Sequence, residues 1–360
     1  MLSTSCLVLR AWCLALVSLF PGSTPRTKYK VQSTKFKARS TKHEARSTKY
    51  KARSTKYEVR STKHEARSIR PQFPEPMPNN PPSIGLALSG GAARGLAHVG
   101  VLRALEESRI PISCIAGTSA GSLVAGAFAS GMTIDQIEAL GRSLRWRKIG
   151  RPTFSWRGFQ SNELLEKFVR KSLPRTKFEE LLIPFAAVAT DLKTGAPVVM
   201  RDTGDIAFAI RASCTIPGVY VPVTDSEGRH LVDGGLVAVI PSIAVRSLGA
   251  DIVIAVDVNS EGATFMSSSH LVGVILHSTM VFLRTASHTQ LAAADYVIKP
   301  LVGHIRWDKL RRADDLIAAG YKAGLESVTE IKALIEAKQA EIETKPDESR
   351  IREESLLSKS

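Results

Sequence analysis

Residues 112 to 130 read ISCIAGTSAGSLVAGAFAS. Ile112 to Ala116 is a short apolar run of the kind that forms a strand buried on both faces. Ala120 to Ser130 carries small and apolar residues over helical length. Between them stands Gly117-Thr118-Ser119-Ala120-Gly121, the G-x-S-x-G spacing of a sharp strand-to-helix turn. Such a turn pushes the Ser119 Oγ out of the sheet, and the following helix points its positive end at any anion forming there. Small residues also gather at strand–helix turns for purely structural reasons, so the rest of the chain has to decide between the two readings.

The same strand–turn–helix unit recurs upstream. Ile84 to Leu88 reads as a buried strand and Arg94 to Glu107 as a helix with one apolar face. The loop between them is Ser89-Gly90-Gly91-Ala92-Ala93-Arg94-Gly95. A dinucleotide site wants G-x-G-x-x-G, but the third position is Ala92, and no acid ends a second strand about twenty residues on. A P-loop needs Lys after its last glycine, and Leu96 stands there. Two uses remain, a tight turn opening a helix or a nest of backbone N–H donors from Gly90, Gly91 and Ala92.

Downstream, strands fit Phe185 to Thr190, Pro197 to Arg201, Arg229 to Val232 and Asp251 to Val256. Helices fit Asn162 to Ser172, Ile206 to Ala212, Leu271 to Leu283 and Ala313 to Ala337. Strands interleaved with helices predict a mostly parallel sheet covered on both faces, a three-layer α/β/α sandwich. Asp233-Gly234-Gly235 directly follows apolar Leu231-Val232. It is either an ordinary Asp-Gly turn or an acid at a strand end, held close to another backbone.

The formal charge of +15 is carried at the N-terminus. Residues 26 to 70 hold sixteen Lys/Arg against three Glu, so the chain from Pro71 onward is nearly neutral. That tract repeats every seven residues from Val31, with Ser-Thr-Lys in each unit. Its Ala/Val and aromatic positions are spaced five and two apart, which builds neither a coiled-coil seam nor a strand face, so disorder is expected. Residues 1–24 are an apolar leader, a candidate signal peptide whose Ala11 to Phe20 run is too short to span a bilayer. A Pro/Asn linker covers 71–82, the globular domain 83–337, and a charged tail 338–360. A cytoplasmic or peripheral membrane location is favoured unless the leader exports the chain, and Met77 is an alternative start. Cys114 and Cys214 lie in apolar surroundings and read as buried thiols.

Taken in order, these segments resemble the patatin-like phospholipase family, especially its compact bacterial members. Ile84 to Leu105 resembles the family's glycine-rich loop and helix, and Ile115 to Gly126 its nucleophile elbow. Ala186 to Gly195, Arg211 to Pro217 and Leu231 to Gly235 resemble the stretch that closes on Asp-Gly-Gly. The resemblance implies a patatin-type sandwich and a serine acyl hydrolase acting on lipid esters. It implies a dyad of Ser119 as nucleophile and Asp233 as base, without histidine. It also implies an oxyanion hole from Gly90, Gly91, Ala92 and Arg94, with Gly95, Gly117, Gly121, Gly234 and Gly235 as motif glycines. Two departures stand out: Ala92 where relatives often carry glycine, and Ala238-Val239 before Pro241 where they often carry asparagine. The second leaves room for a patatin-fold protein that binds lipid or a partner with weakened turnover.

A histidine triad is the rival to a dyad. The candidates are His98, His230, His270, His277, His288 and His304, and His230 is turned from Asp233 by strand alternation. No metal-binding motif occurs, so neither metal nor cofactor is expected, and no nucleic-acid partner is expected for a nearly neutral domain. Residues 142–159 interleave six Lys/Arg with Trp146, Phe154, Trp156 and Phe159 and contain no acid. This segment is either a surface connection or a peripheral membrane contact.

Overall fold

The structure is a computed structural model that describes residues 81–153, 155–260 and 288–344. The leader, the basic repeats, most of the linker, the helix expected at Leu271 to Leu283 and the last sixteen residues lie outside them.

Strands are numbered along the chain. Five run parallel: β1 (Ile84–Leu88), β2 (Cys114–Thr118), β5 (Phe185–Asp191), β9 (Ile252–Val256) and β10 (Tyr296–Ile298). Three join antiparallel: β6 (Pro197–Met200), β7 (Val223–Thr224) and β8 (His230–Asp233). The sheet order is β10-β9-β1-β2-β5-β8-β7, with β6 paired to β5. A separate two-stranded ribbon joins β3 (Arg151–Pro152) to β4 (Gln160–Ser161).

The two faces of the sheet differ in side-chain size, and that sets the layers. Ile84, Leu86 and Leu88 of β1 point to one face with Ile115, Phe185, Ile252 and Ile254. They pack under α1 (Ala97–Glu107), α2 (Ala120–Ala129) and α9 (Ala313–Thr344). The alternate residues Ala87, Ala116, Ala186 and Ala255 face the other way, toward α7 (Ser242–Ser247). Their small size lets α7 lie close: a Cβ on Gly85 would stand 2.2 Å from Val245 Cγ1. The observed fold is the expected α/β/α sandwich around a mostly parallel sheet, with an antiparallel margin that apolar runs alone do not distinguish.

Two elements differ from expectation. Helix α9 continues past Ala337 to Thr344, supported by Lys338–Glu341 and Gln339–Glu343 contacts of 2.8 Å one turn apart. A further helix, α3 (Ile134–Ser143), starts at a reciprocal capping box between Thr133 and Gln136. The remaining helices are α4 (Trp146–Ile149), α5 (Glu163–Ser172), α6 (Ile206–Ser213) and α8 (His288–Ala292).

Candidate active site

Ser119 follows β2 directly and forms the N-cap of α2, with φ 52° and ψ −124°. An L-residue adopts that conformation at a cost of about 1–3 kcal/mol, which persists only where the surroundings impose it. Here the flanking glycines make the turn possible. A Cβ on Gly117 would lie 2.4 Å from the Gly121 backbone, and one on Gly121 would lie 2.3 Å from the Leu88 carbonyl oxygen. The turn therefore closes on itself and on the end of β1, and no side chain fits at either position.

The sheet register brings the second group to it. Residues 187 and 188 of β5 pair with both β2 and β6, and residues 189 and 190 pair with both β8 and β6. Since β6 takes one edge of β5, β2 and β8 must share the other. They run toward each other and stop end to end, Thr118 opposite Val188 and Asp233 opposite Ala189. Ser119 and Asp233 thus face each other across the gap between two strand ends. The Ser119 hydroxyl stands close enough to the Asp233 carboxylate to favour its ionised form.

Asp233 is 8% exposed and Ser119 9%. Burial raises the Asp233 carboxyl to about 6, opposed by the nearby Ser119 hydroxyl and by the Gly235 N–H, which donates to Oδ1 at 2.8 Å. Gly234 permits the close return of the chain, because a Cβ there would stand 2.1 Å from the Val188 carbonyl oxygen. Ser213, at the end of α6, fills the gap between the strands. Its Oγ donates to Val188 O at 2.6 Å and accepts from Ser119 N–H at 2.8 Å. Sequence reading missed Ser213; its one signal is a small polar residue closing a helix that is apolar but for Arg211.

The glycine-rich loop lies beside Ser119, a Cβ on Gly90 standing 3.5 Å from that of Ser119. Its donors differ from the expected set. Gly90 N–H is occupied by Val239 O at 2.9 Å. Arg94 turns away and holds the carbonyls of Gly303 and Ile305 at 3.0 and 2.7 Å. The N–H groups of Gly91, Ala92 and Ala120 have no hydrogen-bond partner among the described residues. Ala92 has φ 50°, a left-handed conformation that suits glycine better than alanine. Gly95 lets the loop press on α2, as a Cβ there would lie 2.6 Å from Ala120 Cβ. Ala238 and Val239 contribute backbone: Thr118 Oγ1 donates to Ala238 O at 2.7 Å, and Val239 O receives Gly90 N–H.

His98 is buried behind this loop. Its Nε2 lies 2.8 Å from Ser89 O, and burial lowers its pKa to about 4, so it is neutral at ordinary pH. His230 meets Thr224 Oγ1 at 3.1 Å at the far end of β8. Neither bridges Ser119 and Asp233, while His270 and His277 fall outside the described residues. Cys114 is buried and its thiol pushed up to about 11 by burial. Cys214 is half-buried, beside Ser119 and Ser122, and burial with the Asp233 charge pushes its thiol far up. Among the described residues no group of three His, Cys, Asp or Glu is placed to hold a metal ion.

Residues 142–159 divide into two parts. Trp146 packs edge to face on Trp307 at 6.1 Å and donates to Asp308 O. Arg142 pairs with Glu138 and Asp314, and Arg151 with Glu163. Beyond them the β3–β4 ribbon carries Trp156 fully exposed and Phe159 66% exposed. The ribbon joins the site's frame: Gln160 bonds Val219 O and Val221 N, and Asn162 donates to Thr215 Oγ1. Thr215 O in turn accepts Asp233 N–H at 2.8 Å.

Residues 86–245 match the family described as patatin-like phospholipase. An uncharacterized NTE family protein of Mycobacterium tuberculosis is 40% identical over 185 residues, 51% of this chain and 51% of the relative. Lysophospholipase NTE1 of Mycosarcoma maydis is 38% identical over 186 residues, 49% of this chain and 10% of the relative. Patatin-like phospholipase domain-containing protein 6 of Homo sapiens is 32% identical over 195 residues, 52% of this chain and 14% of the relative. The matched segment spans about half the length of the first of these relatives and far less of the other two. Among solved structures, VipD from Legionella pneumophila covers 72% of this chain and 67% of its own, with a TM-score of 0.48 and 16% identity.

Proposed function

We propose that this chain, whose residues 86–245 match the patatin-like phospholipase family, is a serine acyl hydrolase that cleaves acyl esters of lipids. The reaction would run through Ser119 and Asp233. The observation that carries this reading is the meeting of two strand ends, which sets a strained serine beside a buried carboxylate.

Ionised Asp233 takes the Ser119 proton as Oγ attacks the ester carbonyl, and negative charge develops on the carbonyl oxygen. The N–H groups of Gly91, Ala92 and Ala120, which have no partner among the described residues, are the donors that would receive that charge. Collapse expels the alcohol, which takes the proton from Asp233, and leaves an acyl ester on Ser119. Water, deprotonated by Asp233, then attacks the acyl group, and the fatty acid leaves as Ser119 regains its proton. A carboxyl near 6 is a better base for a hydroxyl than an ordinary carboxylate. No histidine is required.

The substrate class is a membrane or micellar lipid, a lysophospholipid or phospholipid in keeping with the names of the relatives. The chain meets it as a peripheral protein through the exposed part of residues 142–159. No observation favours the weakened-turnover alternative, because the Ala238 and Val239 carbonyls are engaged on Thr118 and Gly90.

The test is fluorophosphonate labelling and hydrolysis of mixed lipids by the protein and by Ser119→Ala. A single adduct on Ser119, with products absent from the variant, is expected. Labelling elsewhere with activity retained in Ser119→Ala would overturn the assignment.

A further inference from the structure

Asn259 lies just after β9, outside every motif discussed above. Its Nδ2 donates to the carbonyl oxygen of Gly90 at 2.7 Å. The amide orientation follows from chemistry, since a carbonyl oxygen only accepts.

That contact acts on a peptide plane. The Gly90 carbonyl and the Gly91 N–H belong to one planar trans unit and point in opposite directions. The sheet order is β9-β1-β2. Gly90 extends β1, Asn259 extends β9 and Ser119 extends β2. A Gly90 oxygen held on the β9 side therefore turns Gly91 N–H toward the β2 side, where Ser119 stands. Without a side chain on either residue, a Gly-Gly peptide has little intrinsic preference between this orientation and its flipped form. In the flipped form, Gly90 would present its carbonyl oxygen to a developing oxyanion.

The neighbouring peptides are held as well. The Ser89 carbonyl meets His98 Nε2 at 2.8 Å, Gly90 N–H donates to Val239 O at 2.9 Å, and the Gly91 carbonyl accepts from Arg94 N–H at 3.1 Å. Among the described residues, Asn259 is the one side chain bonded to the peptide that carries the Gly91 donor. Its own backbone N–H is anchored on Asp257 Oδ1 at 2.9 Å, which keeps it at the end of β9.

We propose that Asn259 is a positioning residue for the oxyanion site, fixing the Gly90–Gly91 peptide so that Gly91 N–H faces the reacting carbonyl. The inference rests on the hydrolase reading above.

The test compares Asn259→Ala, Asn259→Asp and Asn259→Gln with the unaltered protein, using a soluble p-nitrophenyl ester and a trifluoromethyl ketone as tetrahedral mimic. Loss of one oxyanion donor costs about 10²–10³-fold in kcat. Freeing the Gly91 peptide should cost a sizeable part of that. In Asn259→Ala, kcat should fall by about tenfold to a hundredfold, KM should change less than twofold, and the mimic should bind weaker by the factor lost in kcat. Asn259→Asp occupies the same space but cannot donate when ionised, so it should lose as much even if the alanine variant folds poorly. Asn259→Gln restores a donor and should recover part of the rate. Folded Ala and Asp variants with wild-type kcat and wild-type affinity for the mimic would overturn the role. So would a rise in KM at constant kcat, which would indicate a substrate-binding contact. If the unaltered protein shows no hydrolysis that depends on Ser119, the hydrolase reading has failed instead.

Discussion

Asp233 bears two opposed demands, being buried enough to act as a base yet charged at neutral pH. Burial raises its carboxyl to about 6 from an ordinary 3.8, and the shift has consequences for rate and stability. For the rate, the ionised form is the base, so kcat/KM on a soluble ester should fall as pH drops through about 6. A falloff near 4 would mean that the acting base is an unperturbed carboxylate. For stability, the folded state holds the proton more tightly than the unfolded chain does. Folding is then penalised above pH 6, and the penalty disappears as pH falls below the unfolded value near 4. A shift of about two units corresponds to about 3 kcal/mol. Asp233→Asn should abolish hydrolysis yet unfold at higher denaturant than the unaltered protein at pH 8, with the two curves converging toward pH 4. Equal stability at pH 8 would show that the Ser119 hydroxyl and the Gly235 N–H fully offset burial.

Between β2 and β8 the sheet has a gap, and Ser213 spans it. Removing its hydroxyl leaves the Ser119 N–H and the Val188 carbonyl without their partner at a buried position, at about 1–3 kcal/mol for each unsatisfied group. Ser213→Ala should lower stability by about 2–4 kcal/mol in denaturant titrations and reduce kcat, because the elbow loses the bond that fixes its entry into α2. Unchanged kcat in a destabilised variant would confine Ser213 to a structural role. The strands that frame the gap were unequally legible. β1, β2, β5 and β9 announce themselves as apolar runs next to helices. β7 has two residues and β10 three, too short for any period. Nor does a run such as Leu231-Val232 say whether it pairs parallel or antiparallel with β5, and it is the antiparallel pairing that makes Asp233 meet Ser119. The site is legible to the same extent: Ser119 and Asp233 sit in glycine-marked turns. Ser213 and Asn259 act through single hydrogen bonds to backbone and leave no spacing to read. The hydrogen bonds of Gly90 and Arg94 were not legible for a related reason, since loop composition does not say which donors neighbouring carbonyls take.

At the scale of the whole molecule, cations and aromatics reach solvent together on the ribbon of the nearly neutral domain. Among the described residues, no carboxylate lies within ion-pair distance of Arg145, Arg147, Lys148 or Arg157. Arg145 is committed to the carbonyls of Arg142 and Leu144 and Lys148 Nζ reaches the Ser143 carbonyl at 3.2 Å, but Arg147, Lys148 and Arg157 remain exposed charge on the same segment as Trp156 and Phe159. The ribbon stands over the end of the sheet that holds the site. Arg157 approaches His230 at 3.5 Å, and His230 starts the strand that Asp233 ends, a span of about 10 Å at strand rise. A bilayer touching Trp156 would therefore lie near the Ser119 gap. Each cation near an anionic surface contributes about 1 kcal/mol, and tryptophan favours the interface. Replacing Arg147, Lys148 and Arg157 with Glu should weaken sedimentation with phosphatidylserine-containing vesicles by on the order of a hundredfold at low salt, and the difference should shrink as salt screens the charges. Trp156→Ser with Phe159→Ser should weaken binding to neutral and anionic vesicles alike, with little dependence on salt. Both variants should hydrolyse a soluble ester at the normal rate, because none of these side chains touches the Ser119–Asp233 pair. Unchanged vesicle binding together with collapsed soluble turnover would mean that the ribbon braces the Thr215 to Val221 loop beneath it, and that the membrane is met elsewhere.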